Sequence, residues 1–140
     1  MLTLERIYGV IESDDPVCPE LSNKFRTEKG RGIYALRDNR GIKSFICIAF
    51  TNDIPTTIEE LDSLSSPDGH IIVPYTVWSN ERGAGREIIN KVLAIARRLD
   101  RVFRVVTLSP TTDMAKKFHL RNNAVEIQRN KATVNFEYKL

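Results

Sequence analysis

The run His70–Trp78 (HIIVPYTVW) is strand-like, and Asn80-Glu81-Arg82-Gly83-Ala84-Gly85-Arg86 follows it almost at once, leading into an amphipathic helix to about Leu99. Ile88, Ile89, Val92, Leu93, Ile95, Ala96 and Leu99 fit one helical stripe; Arg86, Glu87, Asn90, Lys91 and Arg97 fit the wet face. Val102–Leu108 (VFRVVTL) then reads as a buried strand. Strand, helix and strand in that order make a parallel pair with a right-handed crossover. Any fold for this chain is built around that unit. Pro74 constrains it further, because proline donates no ladder hydrogen bond. The strand either lies at an edge or is bulged or splayed there.

The flanking segments read as antiparallel. Gly32–Arg37 and Ile42–Phe50 are strands around the turn Asp38-Asn39-Arg40-Gly41. A short helix fits Thr57–Leu64, with Thr56 or Thr57 as its cap and Glu59 and Glu60 in its first turns. Ser109-Pro110-Thr111-Thr112 reads as the start of another helix, running to about Arg121 and stopped by Asn122-Asn123. Ala124–Arg129 and Thr133–Tyr138 form a final pair of strands. Before Ile33 the signals weaken: Leu2–Ile11 as a strand, Glu12–Pro19 as a loop, and one short helix within Glu20–Lys29. The expected class is α/β: one domain spanning residues 1–140, with a mixed, mostly antiparallel sheet around a central parallel pair.

Composition narrows the function. The 140 residues carry 21 Lys and Arg against 18 Asp and Glu, a net +3 that does not argue for a nucleic-acid stripe. Hydrophobic residues at 41% and charged residues at 28% are ordinary globular usage, which excludes a disordered chain. No apolar run of about 18 residues is available to span a membrane. Met1–Arg6 does not read as a signal peptide. Cys18 and Cys47 have no His or Cys at ligand spacing, so neither a zinc site nor a disulfide framework is expected. A reducing cytoplasm is the simplest compartment.

Gly83-Ala84-Gly85 is the motif with chemistry in it. Unpaired N–H groups at a helix start, together with the helix dipole, form an anion site. Glycines let a phosphate approach the main chain, and Arg82 and Arg86 add positive charge. A plain glycine turn with two solvated arginines has the same sequence. A dinucleotide fingerprint fits less well, because no third glycine follows Arg86-Glu87-Ile88.

Val73–Leu93, with Asn80, Gly83 and Gly85 in frame and Ile88 and Ile89 at the apolar helix positions, resembles the acyl-CoA motif of the GNAT N-acyltransferase superfamily. Thr112–Val125 resembles that family's next segment, with Ala115 at the small position and Phe118-His119 at the aromatic pair. The element order matches over roughly residues 33–138. The resemblance implies a GNAT-like fold in which two central parallel strands splay to admit acyl-CoA, and this would account for Pro74. It implies an N-acetyltransferase that moves an acetyl group from acetyl-CoA to a small-molecule or protein amine by direct attack. The pyrophosphate would lie on Arg82, Gly83, Ala84, Gly85 and Arg86, and the pantetheine along the backbone of Val73, Tyr75 and Val77. Asn80, Thr112 and Ala115 complete the binding set. A backbone N–H there would polarise the thioester carbonyl.

His119 stands where the family often has a tyrosine acid, and an imidazole can supply that proton. A half-buried packing role beside Phe118 fits the same position. Asp68 and His70 are the base candidates, at the place where family bases sit; a loop end and an exposed strand end are their plain alternatives. The replacements at Asn80, Thr112 and His119 also fit a GNAT-fold structural or interaction module that has lost catalysis. Family members often dimerise through sheet edges or C-terminal strands, so a homodimer is among the expectations. Thr107-Leu108-Ser109-Pro110 loosely resembles a Ser-Pro segment of decarboxylases on the same fold that act on malonyl-CoA. Cys47 reads as core, Trp78 as packing, and the arginines from Arg97 to Arg104 as cations at a helix end.

Overall fold

The computed structural model of the chain describes residues 2–9 and 14–140. Its eight strands are β1 (Thr3–Ile7), β2 (Arg31–Asp38), β3 (Gly41–Thr51), β4 (Ile71–Ser79), β5 (Arg104–Val106), β6 (Ser109–Pro110), β7 (Val125–Arg129) and β8 (Thr133–Tyr138). Helices α1 (Asn23–Thr27), α2 (Ile58–Leu64), α3 (Ala84–Arg98) and α4 (Asp113–Arg121) are interleaved with them. One sheet runs β1-β2-β3-β4-β5-β8, with β6 and β7 also paired to β8. Every pairing is antiparallel except β4 with β5, where Ile71 lies opposite Arg104 and Ile72 opposite Val105.

Local chemistry explains most of the boundaries. The Asp38 carboxylate accepts from the Arg40 N–H at 2.8 Å, and Gly41 takes φ 131°, which closes the β2–β3 turn. Thr57 caps α2 by accepting from the Glu60 N–H, while the Glu60 carboxylate reaches back to the Thr56 N–H. Asn123, at φ 74°, takes the left-handed position after α4.

The sheet buries both faces. On one, the α3 stripe of Ile88, Ile89, Val92, Leu93 and Ala96 packs on Leu36, Ile46, Ile72, Val105 and Phe136. On the other, Ile33, Phe45, Cys47, Val73, Tyr75 and Trp78 lie beneath Phe25 and Leu61 of α1 and α2. Each large aliphatic side chain buried this way contributes about 1.5–3 kcal/mol.

Three expectations need correction. The strand expected over Val102–Leu108 is confined to Arg104–Val106. At its end the chain is shared: the Thr107 N–H donates to Phe136 O on β8, and the Leu108 N–H donates to Pro74 O on β4. It then follows β8 alone, so Ser109-Pro110 forms β6, opposite Val134 and Thr133, instead of opening a helix. Helix α4 starts one step later, capped by Thr112. The short helix expected within Glu20–Lys29 is present from Asn23 to Thr27, capped by Ser22. The first strand ends at Ile7; Val10 and Ile11, expected to continue it, lie outside the described residues, as do Glu12 and Ser13 of the expected loop.

Candidate functional site

The site begins where β4 stops following its two neighbours. On the β3 side the register jumps between Cys47 and Ile48: Cys47 faces Thr76 and Ile48 faces Pro74, leaving Tyr75 as an extra residue. This is a β-bulge, and it sits directly after the proline that cannot donate. On the other side, pairing with β5 ends at Ile72 and the Leu108-to-Pro74 hydrogen bond at 3.1 Å is the last tie. Beyond it, among the described residues, β4 pairs only with β3. Pro74 is therefore bulged and splayed rather than at an edge.

A cleft of about 430 Å³ opens in that gap. Pro74 to Ser79 of β4 form one side; Ser109, Pro110, Thr112, Met114, Ala115, Phe118 and His119 form the other. Gly85 closes one end, and Pro16 and Val17 of the N-terminal loop close another. The lining is mostly apolar, with a few polar groups set into it, which is how ligand clefts are built.

Gly83 takes φ 83° at the start of α3 and no side chain caps the helix. The N–H groups of Gly85 and Arg86 have no hydrogen-bond partner among the described residues. A Cβ on Gly83 would meet nothing within 4 Å, so the turn is open to a ligand; a Cβ on Gly85 would come within 2.9 Å of Phe118 Cε1. Gly85 is thus required for the close packing of α3 on α4, and Gly83 for backbone conformation. Ser44 Oγ donates to Ala84 O at 2.9 Å, and Lys43 Nζ pairs with Glu87 at 2.8 Å and Glu81 at 3.5 Å. These β3 groups fix the loop, and the sequence reading missed them because β3 is distant in the chain and carries no motif. Arg82 and Arg86 are exposed at the same place.

His119 projects from α4 into the cleft wall, 7% exposed. Its Nδ1 lies 2.6 Å from Tyr138 Oη, and its ring stacks on Phe136 at 5.2 Å. Burial pushes its pKa down to about 4, so the ring is neutral at pH 7. Burial also raises the Tyr138 phenol, which stays protonated. On the α4 side, Ser109 Oγ lies 2.7 Å from Thr107 Oγ1, which also accepts from the Phe136 N–H.

The other expected site residues divide. Tyr75, Val77, Gly85, Thr112 and Ala115 line the cleft together with His119. Thr112 also caps α4, its Oγ1 accepting from the Ala115 N–H at 3.2 Å. Asn80 is exposed just beyond β4, and its N–H donates to Lys43 O. Val73 is buried below the cleft, opposite Ala49, and does not line it. Asp68 and His70 are exposed at the far end of β4 from the cleft; His70 Nδ1 is 3.1 Å from Arg101 O, and its ring stacks on Phe103. Cys47 is buried, and Trp78 stacks on Phe45 at 5.0 Å while lining the cleft. Among the described residues no cluster of metal-ligating side chains is present and no helix is long and apolar enough to cross a membrane.

The arrangement has counterparts among solved structures. A GphF GNAT-like decarboxylase in complex with isobutyryl-CoA superposes with a TM-score of 0.65 and 16% identity, over 76% of this chain and 77% of that one. The loading GNATL domain of CurA from Lyngbya majuscula gives 0.61 and 14%, over 79% and 76%. A Bacillus subtilis acetyltransferase in complex with CoA gives 0.61 and 11%, over 100% and 99%. No family model and no curated protein matches the sequence. The chain has the GNAT fold. Its mostly antiparallel sheet, with β4 and β5 as the parallel pair, is that architecture.

Proposed function

We propose that this protein is an acyl-CoA-dependent N-acetyltransferase that uses acetyl-CoA and an amine acceptor. The observation that carries this reading is the parting of β4 from β5, with a bulge on one flank and an uncapped glycine helix start at the end. The acceptor is a small molecule or a protein side chain.

The residues fit such a donor. Unpaired N–H groups of Gly85 and Arg86, with the Arg82 and Arg86 side chains, suit a pyrophosphate. The Tyr75–Val77 edge, Thr112 and Ala115 offer a narrow, mostly apolar channel for an extended amide chain. The donor brings an activated acyl carbonyl. Amine attack forms the N–C bond, the C–S bond breaks, and one proton passes from nitrogen to sulfur. His119 is suited to carry that proton. Its neutral ring can accept it, and an imidazolium held near pKa 4 gives it up readily to a thiolate. This refines the role of general acid into that of a relay. Asp68 and His70, remote from the cleft, are not assigned the base here.

Calorimetric titration with acetyl-CoA and CoA tests the reading, followed by an amine panel read by mass spectrometry. Micromolar binding and an acetylated product support it. Absence of binding at millimolar ligand overturns it. Gly83→Asp should abolish binding, because a carboxylate would enter the phosphate cradle. Binding without turnover of any acyl-CoA would leave the silent module that the altered Asn80, Thr112 and His119 positions also fit.

One observation favours a second reaction. Ser109 and His119 line the same side of the cleft, and one structural counterpart is a decarboxylase. Incubation with malonyl-CoA, followed by mass spectrometry for acetyl-CoA, separates decarboxylation from acetyl transfer.

A further inference from the structure

The bulge at Tyr75 is poorly held by the sheet itself. Tyr75 has no partner residue on β3, Pro74 has no N–H, and the tie to Leu108 is the last on the other side. What holds it is the N-terminal loop. Thr76 Oγ1 donates to Asp15 Oδ2 at 2.8 Å, and the Cys18 thiol lies 3.9 Å from Tyr75 O as a weak donor. Two consecutive residues of the bulge are thus fastened to one loop.

The loop is fastened in turn by a buried ion pair. Asp15 Oδ1 accepts from the Val17 and Cys18 N–H groups at 2.7 and 3.1 Å, and Oδ2 accepts from Arg26 Nη1 at 2.8 Å. Arg26 also donates to Leu21 O, Cys18 O and the Cys47 thiol, and its guanidinium lies 5.7 Å from the Trp78 ring centroid. Cys47 is the β3 residue opposite Thr76. Arg26 therefore bridges the loop, β3 and β4 around the bulge. The Asp15 and Arg26 side chains are only 2% and 3% exposed. A buried pair of this kind is weak evidence for stability, since well-packed apolar residues often do as well; its value lies in fixing one geometry. Pro16 and Val17, next to Asp15, line the cleft.

We propose that Asp15 and Arg26 are positioning residues: through Thr76 and Cys18 they set the backbone of the bulge where a thioester carbonyl must be polarised, and they set the Pro16–Val17 wall of the cleft. This rests on the acyl-CoA reading above. The phosphate end at Gly83–Arg86 belongs to α3, which packs on the opposite face of the sheet from this network, so loss of the network leaves the nucleotide contacts in place and disturbs the bulge and the acyl end.

The test is infrared spectroscopy of acetyl-CoA labelled with carbon-13 at the carbonyl, bound to the full chain, with calorimetry of 3′-phosphoadenosine 5′-diphosphate, the part of CoA that lacks pantetheine. The variants are the double substitution Asp15→Leu with Arg26→Met, which leaves no orphaned charge, and Thr76→Val, which is nearly isosteric and removes a single tie. In the parent the bound carbonyl stretch falls below its value in water. In both variants it moves back toward that value while the dissociation constant of the nucleotide fragment holds. With an acceptor from the amine panel, kcat falls by about a hundredfold in the double variant, the scale of a small misplacement of reacting groups. A variant carbonyl stretch equal to the parent's overturns the positioning role and leaves the acyl-CoA reading standing. Equal loss of nucleotide-fragment affinity in both variants also overturns it, because the network would then be a general support. A parent that binds no CoA overturns both, and that outcome is visible before any variant is made.

Discussion

The cleft has two differently made sides. The side formed by the Gly83–Gly85 turn and α4 carries no charge in its wall: main-chain N–H groups, apolar residues such as Ala115 and Phe118, and a neutral imidazole. The N-terminal loop, by contrast, is held by a carboxylate and a guanidinium that are almost fully buried. Main-chain geometry tolerates many changes of side chain, provided no Cβ intrudes. A buried charge tolerates almost none, because the partner left behind has neither water nor counter-charge. The two sides should therefore fail in different ways.

The largest effect is expected at the charged side. Asp15→Ala leaves Arg26 buried and uncompensated and should cost about 3–5 kcal/mol in urea unfolding. A loss no greater than that of an ordinary surface change would erase the contrast. Next is the pH dependence of the neutral side. The native His119 pKa of about 4 lies below the ordinary 6.5, so the unfolded chain binds more protons between those values. Stability therefore rises with pH through that window, and this single group removes about 3 kcal/mol as pH falls from above 6.5 to 4. His119→Gln should flatten that part of the stability profile; an unchanged slope would assign it to other groups.

Smaller effects sharpen the comparison within the neutral side. Gly85→Ala drives a Cβ against Phe118 and should cost about 1–3 kcal/mol. Gly83→Ala meets no atom but keeps φ at 83° and should cost about 1–2 kcal/mol. Calorimetry with CoA should show the first variant weakened through the shifted α4 and the second nearly unchanged. Arg86→Ala, at an exposed position, should move thermal stability by no more than about 0.5 kcal/mol while reducing CoA affinity severalfold. An affinity that ignores Arg86 would remove that side chain from the phosphate end.

Legibility in the sequence followed the same division. The glycine turn, the α3 stripe and the β2–β3 and β7–β8 pairs are local patterns, and all appear close to their expected bounds. Pro74 marked an interrupted ladder, whether at an edge, a bulge or a splay, because a missing donor is a local fact. Asp15 gave no such signal: an acid beside Pro16 in a weakly patterned stretch reads as a solvated loop, and its partners Arg26 and Thr76 are 11 and 61 residues away. Tyr138, which holds His119, and Lys43 and Ser44, which brace the glycine turn, were hidden for the same reason. The end of β5 depended on competition between β4 and β8 for one segment, which no window of sequence contains.

The extra residue at Tyr75 also changes the phase of its strand. Below it, odd-numbered Ile71, Val73 and Tyr75 face the α1–α2 core and even-numbered Ile72 faces α3. Above it the parity is inverted: Val77 turns toward α3 and Trp78 toward the α1–α2 core. One strand thus carries two alternation codes joined at a single position. Removing Tyr75 would restore a single code over the whole strand with Val77 and Trp78 kept on their present faces and Trp78 still stacked on Phe45, so the extra residue is what lets the strand leave its neighbour without turning either core face inside out.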